Sequence, residues 1–261
     1  MRKLGIGKRT QRLASGITVR QDFRDCVRMV FFDTGESAYQ YATHGGTAFV
    51  VIFKGRPYAF TCAHVRQDFS WDQLVITDTK RGHLIAQLKS VGYATSPRDS
   101  AIDTDVLDVV VIDFAPDVTS AFFKDMAYVL DLSTVSTSKP GDGLLVAGVL
   151  KGKSQICDGT ITPCFCTLEF ADAVPATSDP TLRHGIAKFD EPEFDSITGL
   201  SGAPVYNLRA NGLCGMVVRG SMNGDDCSIY YIDLFDMMQI LKCAHEGRAE
   251  TYYRKTVLAP R

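Results

Sequence analysis

The sequence predicts an all-β protein, and three observations support this prediction. Short runs rich in β-branched and aromatic residues recur along most of the chain, bounded by Gly, Asp and Pro. Only the segment 234–243 has apolar residues at the three-and-four spacing of a helix. The runs form two sets of about six, divided near residue 120, which predicts two six-stranded antiparallel β-barrels in tandem with a C-terminal helix.

The first predicted barrel covers residues 26–120. Its expected strands are 27–32, 47–53, 57–61, 74–77, 84–88 and 109–114. Residues 54–57 have the length of a hairpin link, so the strands on either side of them are expected to pair antiparallel. Residues 1–25 are polar and basic with little periodicity, which predicts a basic N-terminal arm.

The second predicted barrel, with the closing helix, covers residues 121–245. Its expected strands are 128–130, 144–149, 154–156, 165–169, 203–206, 213–218 and 229–232. Asp233 is a candidate N-cap for the helix. Residues 171–184 contain two prolines and are expected to form an exposed loop, and residues 246–261 are expected to form a C-terminal tail.

Composition limits the partners of the chain. The 261 residues are 45% hydrophobic and 22% charged, as in ordinary globular proteins. A net charge of −2 argues against a nucleic-acid partner, because phosphate binding needs a basic excess. No window approaches the length of a membrane span, and the arm lacks the apolar region of a secretory signal. We therefore expect a cytoplasmic protein without a membrane partner, with the terminal segments as candidate sites for a regulatory partner.

The eight cysteines are expected to be free thiols, because the cytoplasm is reducing. Cys157, Cys164 and Cys166 form the only cluster. The gap between Cys164 and Cys166 is shorter than in structural zinc sites, and residues two apart on a strand share one face. No metal and no cofactor is predicted.

Ser201 is the candidate nucleophile. Gly199 lies two positions before it and Gly202 directly after it, which favours a tight turn whose backbone N–H groups converge on one point. Such a turn can hold an oxyanion, with Gly199 and Ser201 as the candidate donors. The alternative is a glycine-rich hairpin loop that contains an incidental serine.

His64 and Asp108 are the candidate base and its orienting acid. His64 follows an apolar strand, where a short helical turn could direct it into a cleft, although a lone histidine is more often structural. Asp108 begins a run of β-branched residues, so a partly buried carboxylate is expected there, and an imidazole N–H would satisfy it. Asp103 and Asp105 are rivals in a more polar loop.

These stretches together resemble the chymotrypsin-like serine proteases. Ala63-His64, Asp108-Val109-Val110 and the segment 199–204 are similar to the three signature stretches of that family, in its order of His, Asp and Ser. The resemblance covers roughly residues 47–243. It implies a two-barrel fold with a catalytic triad of His64, Asp108 and Ser201 in the cleft between the barrels.

The departures from the trypsin branch concern activation and disulfides. Leu200 stands where that branch has an acidic residue, Val65 follows His64 in place of a cysteine, and the usual disulfide pairs are missing. In these features the chain is more similar to the intracellular bacterial or HtrA-type and viral branches.

The resemblance also implies a specificity pocket. Asp195, six residues before Ser201, would lie at its base and favour substrates with Lys or Arg before the cut. The walls would be Val218, Arg219 and Gly220 on one side and Ser228 on the other. The alternative is that Asp195 is a solvated loop residue.

Three functions follow from these residues. The first is a serine endopeptidase acting on a protein or peptide substrate. The second is a protease-fold module that binds partners without catalysis. The third, an α/β-hydrolase, is disfavoured because its nucleophile precedes its histidine in the chain, whereas His64 precedes Ser201.

Overall fold

A computed structural model describes the chain at residues 19–36, 41–43, 45–77, 85–86, 88–94, 108–119, 121–123, 126–130, 135, 137–151, 154–157, 160–173, 182–188, 196–223, 226–247 and 252–256. Strands account for most of these residues, and one long helix lies near the C-terminus. The prediction of an all-β fold is confirmed.

The N-terminal half forms two sheets that share one apolar core. After a short helix, α1 (Gln21–Asp25), its strands are β1 (Val27–Met29), β2 (Phe31–Asp33), β3 (Tyr41–Ala42), β4 (Thr47–Phe53), β5 (Arg56–Cys62), β6 (Leu74–Thr77), β7 (Ile85–Ala86), β8 (Leu88–Ala94), β9 (Val109–Phe114) and β10 (Tyr128–Val129). The larger sheet has the order β1-β4-β5-β9-β8, and the smaller one has the order β3-β2-β6-β7.

The predicted hairpin between β4 and β5 is confirmed. Lys54 and Gly55 form its turn and both have positive φ angles, 49° and 78°. Two consecutive positive φ angles define the type I′ turn, whose twist matches that of the flanking strands. β9 lies between β5 and β8, and all six of its residues are buried. Five of them are apolar, and the sixth, Asp113, accepts a hydrogen bond from Arg56 at 2.9 Å.

The C-terminal half forms a closed barrel of six strands, in the order β11-β14-β15-β18-β17-β16. The strands of this half are β11 (Gly143–Val149), β12 (Gln155–Cys157), β13 (Thr160–Thr162), β14 (Phe165–Ala173), β15 (Leu182–Lys188), β16 (Pro204–Asn207), β17 (Gly212–Asn223) and β18 (Asp226–Asp233). β12 and β13 form a separate hairpin outside the barrel.

The predicted C-terminal helix is confirmed as α2 (Leu234–Glu246). Asp233 caps its first turn, since the backbone N–H of Phe235 donates to the Asp233 carboxylate at 2.8 Å. The helix ends at Gly247, whose φ of 69° is left-handed. Neither helix in the described ranges has the length and apolar character needed to cross a bilayer.

Several of the described segments differ from the assignments made on the sequence. The expected barrel strand 154–156 corresponds to β12, which pairs with β13 outside the barrel. β10 pairs in parallel with β4, so it belongs to the N-terminal sheet and not to the second barrel. The expected loop 171–184 is strand at both ends, because β14 continues to Ala173 and β15 starts at Leu182. Beyond the helix, β19 (Tyr252–Thr256) pairs antiparallel with β8 at the edge of the N-terminal sheet.

Candidate active site

His64 and Asp108 lie side by side at the ends of two paired strands. His64 is in a short 3-10 turn (Ala63–Arg66) directly after β5, and Asp108 directly precedes β9. Cys62 at the end of β5 pairs with Val109 at the start of β9. This register places the two side chains next to each other, although they are 44 residues apart in the chain.

Two hydrogen bonds fix the histidine on the carboxylate. His64 Nδ1 lies 2.6 Å from Asp108 Oδ2, and the backbone N–H of His64 donates to Asp108 Oδ1 at 3.0 Å. When Nδ1 carries the proton, its N–H donates a hydrogen bond to the carboxylate, and the unprotonated Nε2 is left to act as a base. The His64 side chain is 52% exposed and that of Asp108 is 20% exposed, so solvent and substrate can reach the imidazole. The rivals Asp103 and Asp105 lie outside the described residues.

Ser201 lies in the tight turn that the glycines predict. Gly199 and Gly202 have φ angles of +112° and +86°, which only glycine adopts readily. Within this turn, the N–H of Leu200 donates to the Ile197 carbonyl at 3.1 Å.

The backbone N–H groups of Gly199 and Ser201 have no acceptor among the described residues. The carbonyl of Thr198 accepts a hydrogen bond from the Lys151 N–H at 2.9 Å. The N–H of Gly199 belongs to the same planar trans peptide, so it points the opposite way. The turn can therefore offer two backbone donors to an oxyanion.

The hydroxyl of Ser201 donates to the Val218 carbonyl at 3.3 Å. The pairing of β17 with β18 shifts between Val217 and Arg219, which leaves Val218 out of the regular register. Ser201 and His64 line the same cleft, which has a volume of about 250 Å³. The structure thus brings His64 and Ser201 to one cleft, with Asp108 bonded to His64 and the serine hydroxyl donating to a backbone carbonyl.

Three of the four residues predicted as pocket walls lie at the cleft. Val218, Arg219 and Gly220 line the cleft, and Arg219 lies over the Tyr230 ring with its guanidinium carbon 5.1 Å from the ring centre. Ser228 is not among the lining residues, and its neighbour Ile229 lines the cleft instead. Alternation along β18 explains the difference, because adjacent strand residues face opposite sides. Asp195 lies outside the described residues.

Ile197 is a lining residue that the sequence reasoning missed. Its Cδ1 lies 2.4 Å from the position that a Cβ on Gly220 would occupy, so its side chain packs directly on Gly220. The contact places an apolar side chain against the cleft wall formed by Val218, Arg219 and Gly220. The only sequence signal was a large apolar residue within an otherwise small and polar segment.

Leu200 anchors the turn in the core of the second barrel. Its side chain is 2% exposed, and its Cδ2 lies against Gly148 in β11. The packing of Leu200 on β11 therefore holds the turn against the second barrel.

The cysteines whose side chains are described are free thiols. Burial raises the pKa of Cys227 to about 11 and that of Cys166 to about 12, so both stay protonated near neutral pH. Cys62, His64 and Asp108 offer ligand atoms within 4.8 Å of one another. A cation there would replace the bond between His64 and Asp108, so it would compete with the arrangement described above.

Comparisons with known proteins identify the fold. No family model matches the sequence, and no curated protein matches it closely enough to be a relative. The structure is similar to the inactivated protease paralogue S-I1 of the scabies mite (TM-score 0.58, 12% identity, 88% of this chain and 98% of that one). It is also similar to mouse neuropsin, a serine protease (0.55, 11%, 86% and 96%), and to the tobacco vein mottling virus protease (0.50, 12%, 91% and 89%). The chain therefore has the two-barrel fold of the chymotrypsin-like serine proteases.

Proposed function

We propose that the chain is a serine endopeptidase. The observation that carries the proposal is the 2.6 Å contact between His64 and Asp108 in the cleft that Ser201 also lines. A serine hydroxyl is a weak nucleophile unless a base takes its proton, and an imidazole held by a carboxylate is such a base.

The proposed reaction has two halves. Ser201 Oγ attacks the substrate carbonyl carbon while His64 Nε2 takes the hydroxyl proton, and the N–H groups of Gly199 and Ser201 bind the oxyanion. His64 then gives the proton to the leaving amine, and an acyl-enzyme remains. Water attacks this ester with His64 as the base again, which releases the acid and restores Ser201. Before the first attack, the Ser201 hydroxyl must break its hydrogen bond to the Val218 carbonyl and form one to His64 Nε2.

The second candidate is a protease-fold module that binds partners without catalysis. The hydrogen bond from Ser201 to the Val218 carbonyl favours it, because a hydroxyl held there is not donating to a base. One of the structural neighbours is itself named an inactivated protease paralogue. The two candidates differ in whether Ser201 reacts.

A fluorophosphonate probe and a peptide library separate these candidates. The wild type should label at Ser201 and cleave peptides, whereas Ser201→Ala and His64→Ala should each lose activity by about a thousandfold or more. Ser196→Ala is the matched control, since this exposed serine lies in the same segment, bonded to Thr198, and should keep labelling. An unlabelled, inactive wild type would favour the binding module.

Specificity for Lys or Arg before the cut is a finer proposal that rests on Asp195. The chymotrypsin-like fold and the cleft walls at Val218 and Gly220 support it. The packing of Ile197 on Gly220 supports the alternative, a preference for small residues. A peptide-library cleavage profile of the wild type and of Asp195→Ala distinguishes these two preferences. If Asp195 selects basic residues, a preference of tenfold or more for Lys or Arg before the cut should disappear in the variant.

The setting of the enzyme is also proposed from the sequence. A cytoplasmic location, similarity to the intracellular bacterial or HtrA-type and viral branches, and a regulatory partner at the terminal segments remain proposals. The apolar anchoring of Leu200 and the free cysteines support them. A protein or peptide is the proposed substrate.

A further inference from the structure

Thr47, the first residue of β4, lies fully buried between the N-terminal sheet and the turn that carries Ser201. Its hydroxyl donates to the Gly199 carbonyl at 2.7 Å and accepts from the Val149 N–H at 3.0 Å. Its backbone N–H donates to the Ser201 carbonyl at 2.8 Å. A single residue of the N-terminal half is thus hydrogen-bonded to the turn on both sides of Leu200.

These bonds restrain a residue that would otherwise rotate freely. Gly199 has no side chain and can adopt many backbone angles. The peptide before it is held by the bond from the Lys151 N–H to the Thr198 carbonyl. The peptide after it is held by the Thr47 hydroxyl. The Lys151 bond sets the direction of the Gly199 N–H, and the Thr47 hydroxyl restricts the backbone rotation at Gly199 that would let this peptide turn.

We propose that Thr47 is a positioning residue, whose hydroxyl keeps the Gly199 N–H directed at the oxyanion. The proposal rests on the proposed endopeptidase function, since an oxyanion forms only if Ser201 reacts. Thr47 touches neither the substrate nor the reacting atoms in this scheme. Its backbone bond to Ser201 would survive in any residue, so the hydroxyl is the specific contribution.

The test compares variants that differ in one hydroxyl. Thr47→Val keeps the shape but leaves the Gly199 carbonyl and the Val149 N–H without their partner, whereas Thr47→Ser keeps the hydroxyl. Ser138→Ala is the control, because Ser138 is also buried and its hydroxyl bonds to the Tyr231 hydroxyl at 2.6 Å and not to Thr47 or the turn. Both Thr47→Val and Ser138→Ala lose one buried hydroxyl, and only Thr47→Val releases the turn.

We expect Thr47→Val to lower kcat by roughly tenfold to a hundredfold with KM changed less than about threefold, because loss of a whole oxyanion donor costs about 10²–10³ in kcat. Thr47→Ser should stay within about threefold of the wild type, and Ser138→Ala should leave kcat within the same range. If Thr47→Val does not fold, Thr47→Cys, which keeps the volume with a weaker donor, replaces it. Equal losses of kcat in Thr47→Val and Ser138→Ala, or no loss in either, would overturn the positioning role.

A second measurement separates this proposal from the proposed function. The backbone amide resonances of Gly199 and Ser201 should shift and broaden in Thr47→Val and stay unchanged in Ser138→Ala. An inactive wild type with this NMR pattern would refute the endopeptidase while keeping the positioning of the turn. An active wild type without it would refute the role of Thr47 alone.

Discussion

Gly202, directly after the candidate nucleophile, allows a quantitative test of how closely the Ser201 turn packs on Thr47. Its φ is +86°, and a Cβ built on it would lie 1.9 Å from the Thr47 carbonyl oxygen. Gly141 has almost the same φ, +89°, with nothing within 4 Å of its Cβ position. Comparing Gly202→Ala with Gly141→Ala therefore separates two losses of folding free energy. Both variants carry the cost of a left-handed backbone angle, and only Gly202→Ala adds the cost of the steric clash.

The expected magnitudes follow from these contacts. A left-handed backbone costs a non-glycine residue about 1–2 kcal/mol, and this applies to both variants. In Gly202→Ala the Thr47 carbonyl must also move by more than an ångström, which breaks the hydrogen bond that it accepts from the Thr61 hydroxyl. The same movement disturbs the bond from the Thr47 N–H to the Ser201 carbonyl. Each buried group that loses its partner costs about 1–3 kcal/mol, so Gly202→Ala should lower the free energy of unfolding by roughly 2–6 kcal/mol more than Gly141→Ala.

Denaturant unfolding of the two variants and the wild type measures this difference directly. Fluorophosphonate labelling on the same samples should fall in Gly202→Ala and persist in Gly141→Ala. Equal free energies of unfolding in the two variants would refute the close seating of the turn on Thr47.

Three further predictions concern packing, disulfides and pH. Leu200→Ala should lower the free energy of unfolding by about 2–5 kcal/mol, because a buried leucine is removed, and a loss below about 1 kcal/mol in denaturant titration would contradict its anchoring role. Thermal melting with and without a strong thiol reductant should agree within about a degree, whereas a drop of several degrees would reveal a disulfide. Burial first, then Lys54 and Arg56, lowers the pKa of His245 below its usual 6.5, so the unfolded chain binds more protons there and stability should fall as the pH drops below about 6.5. Unfolding measured from pH 5 to 8 checks this step, which should be weaker in His245→Gln.

The fold and the His–Asp pair could be predicted because their signals are local. Asp108 was preferred to its rivals because it begins a run of β-branched residues, and this run is the fully buried β9. A carboxylate at the start of such a strand needs a partner, and His64 lies 2.6 Å from it. The type I′ turn at Lys54 and Gly55 and the cap at Asp233 are equally local.

The remaining parts depend on contacts that no local pattern encodes. Thr47 contacts Gly199 across 152 residues of chain, and as the first residue of an apolar strand it carries no motif. The parallel pairing of β10 with β4 and the addition of β19 to β8 are also long-range, since both strands are short and their sequences favour no particular neighbour. Ile197 was missed because its importance depends on Gly220, which lies opposite only in the folded chain.

The irregular pairing at Val218 separates the role of its backbone carbonyl from the role of its side chain. The Ser201 hydroxyl is held by the backbone carbonyl of Val218 and not by its side chain, because the β17–β18 register skips this residue. The Val218 side chain is buried in the apolar core, whereas its carbonyl accepts the hydrogen bond from the nucleophile. The packing of the core at position 218 and the resting position of Ser201 therefore depend on different parts of the same residue.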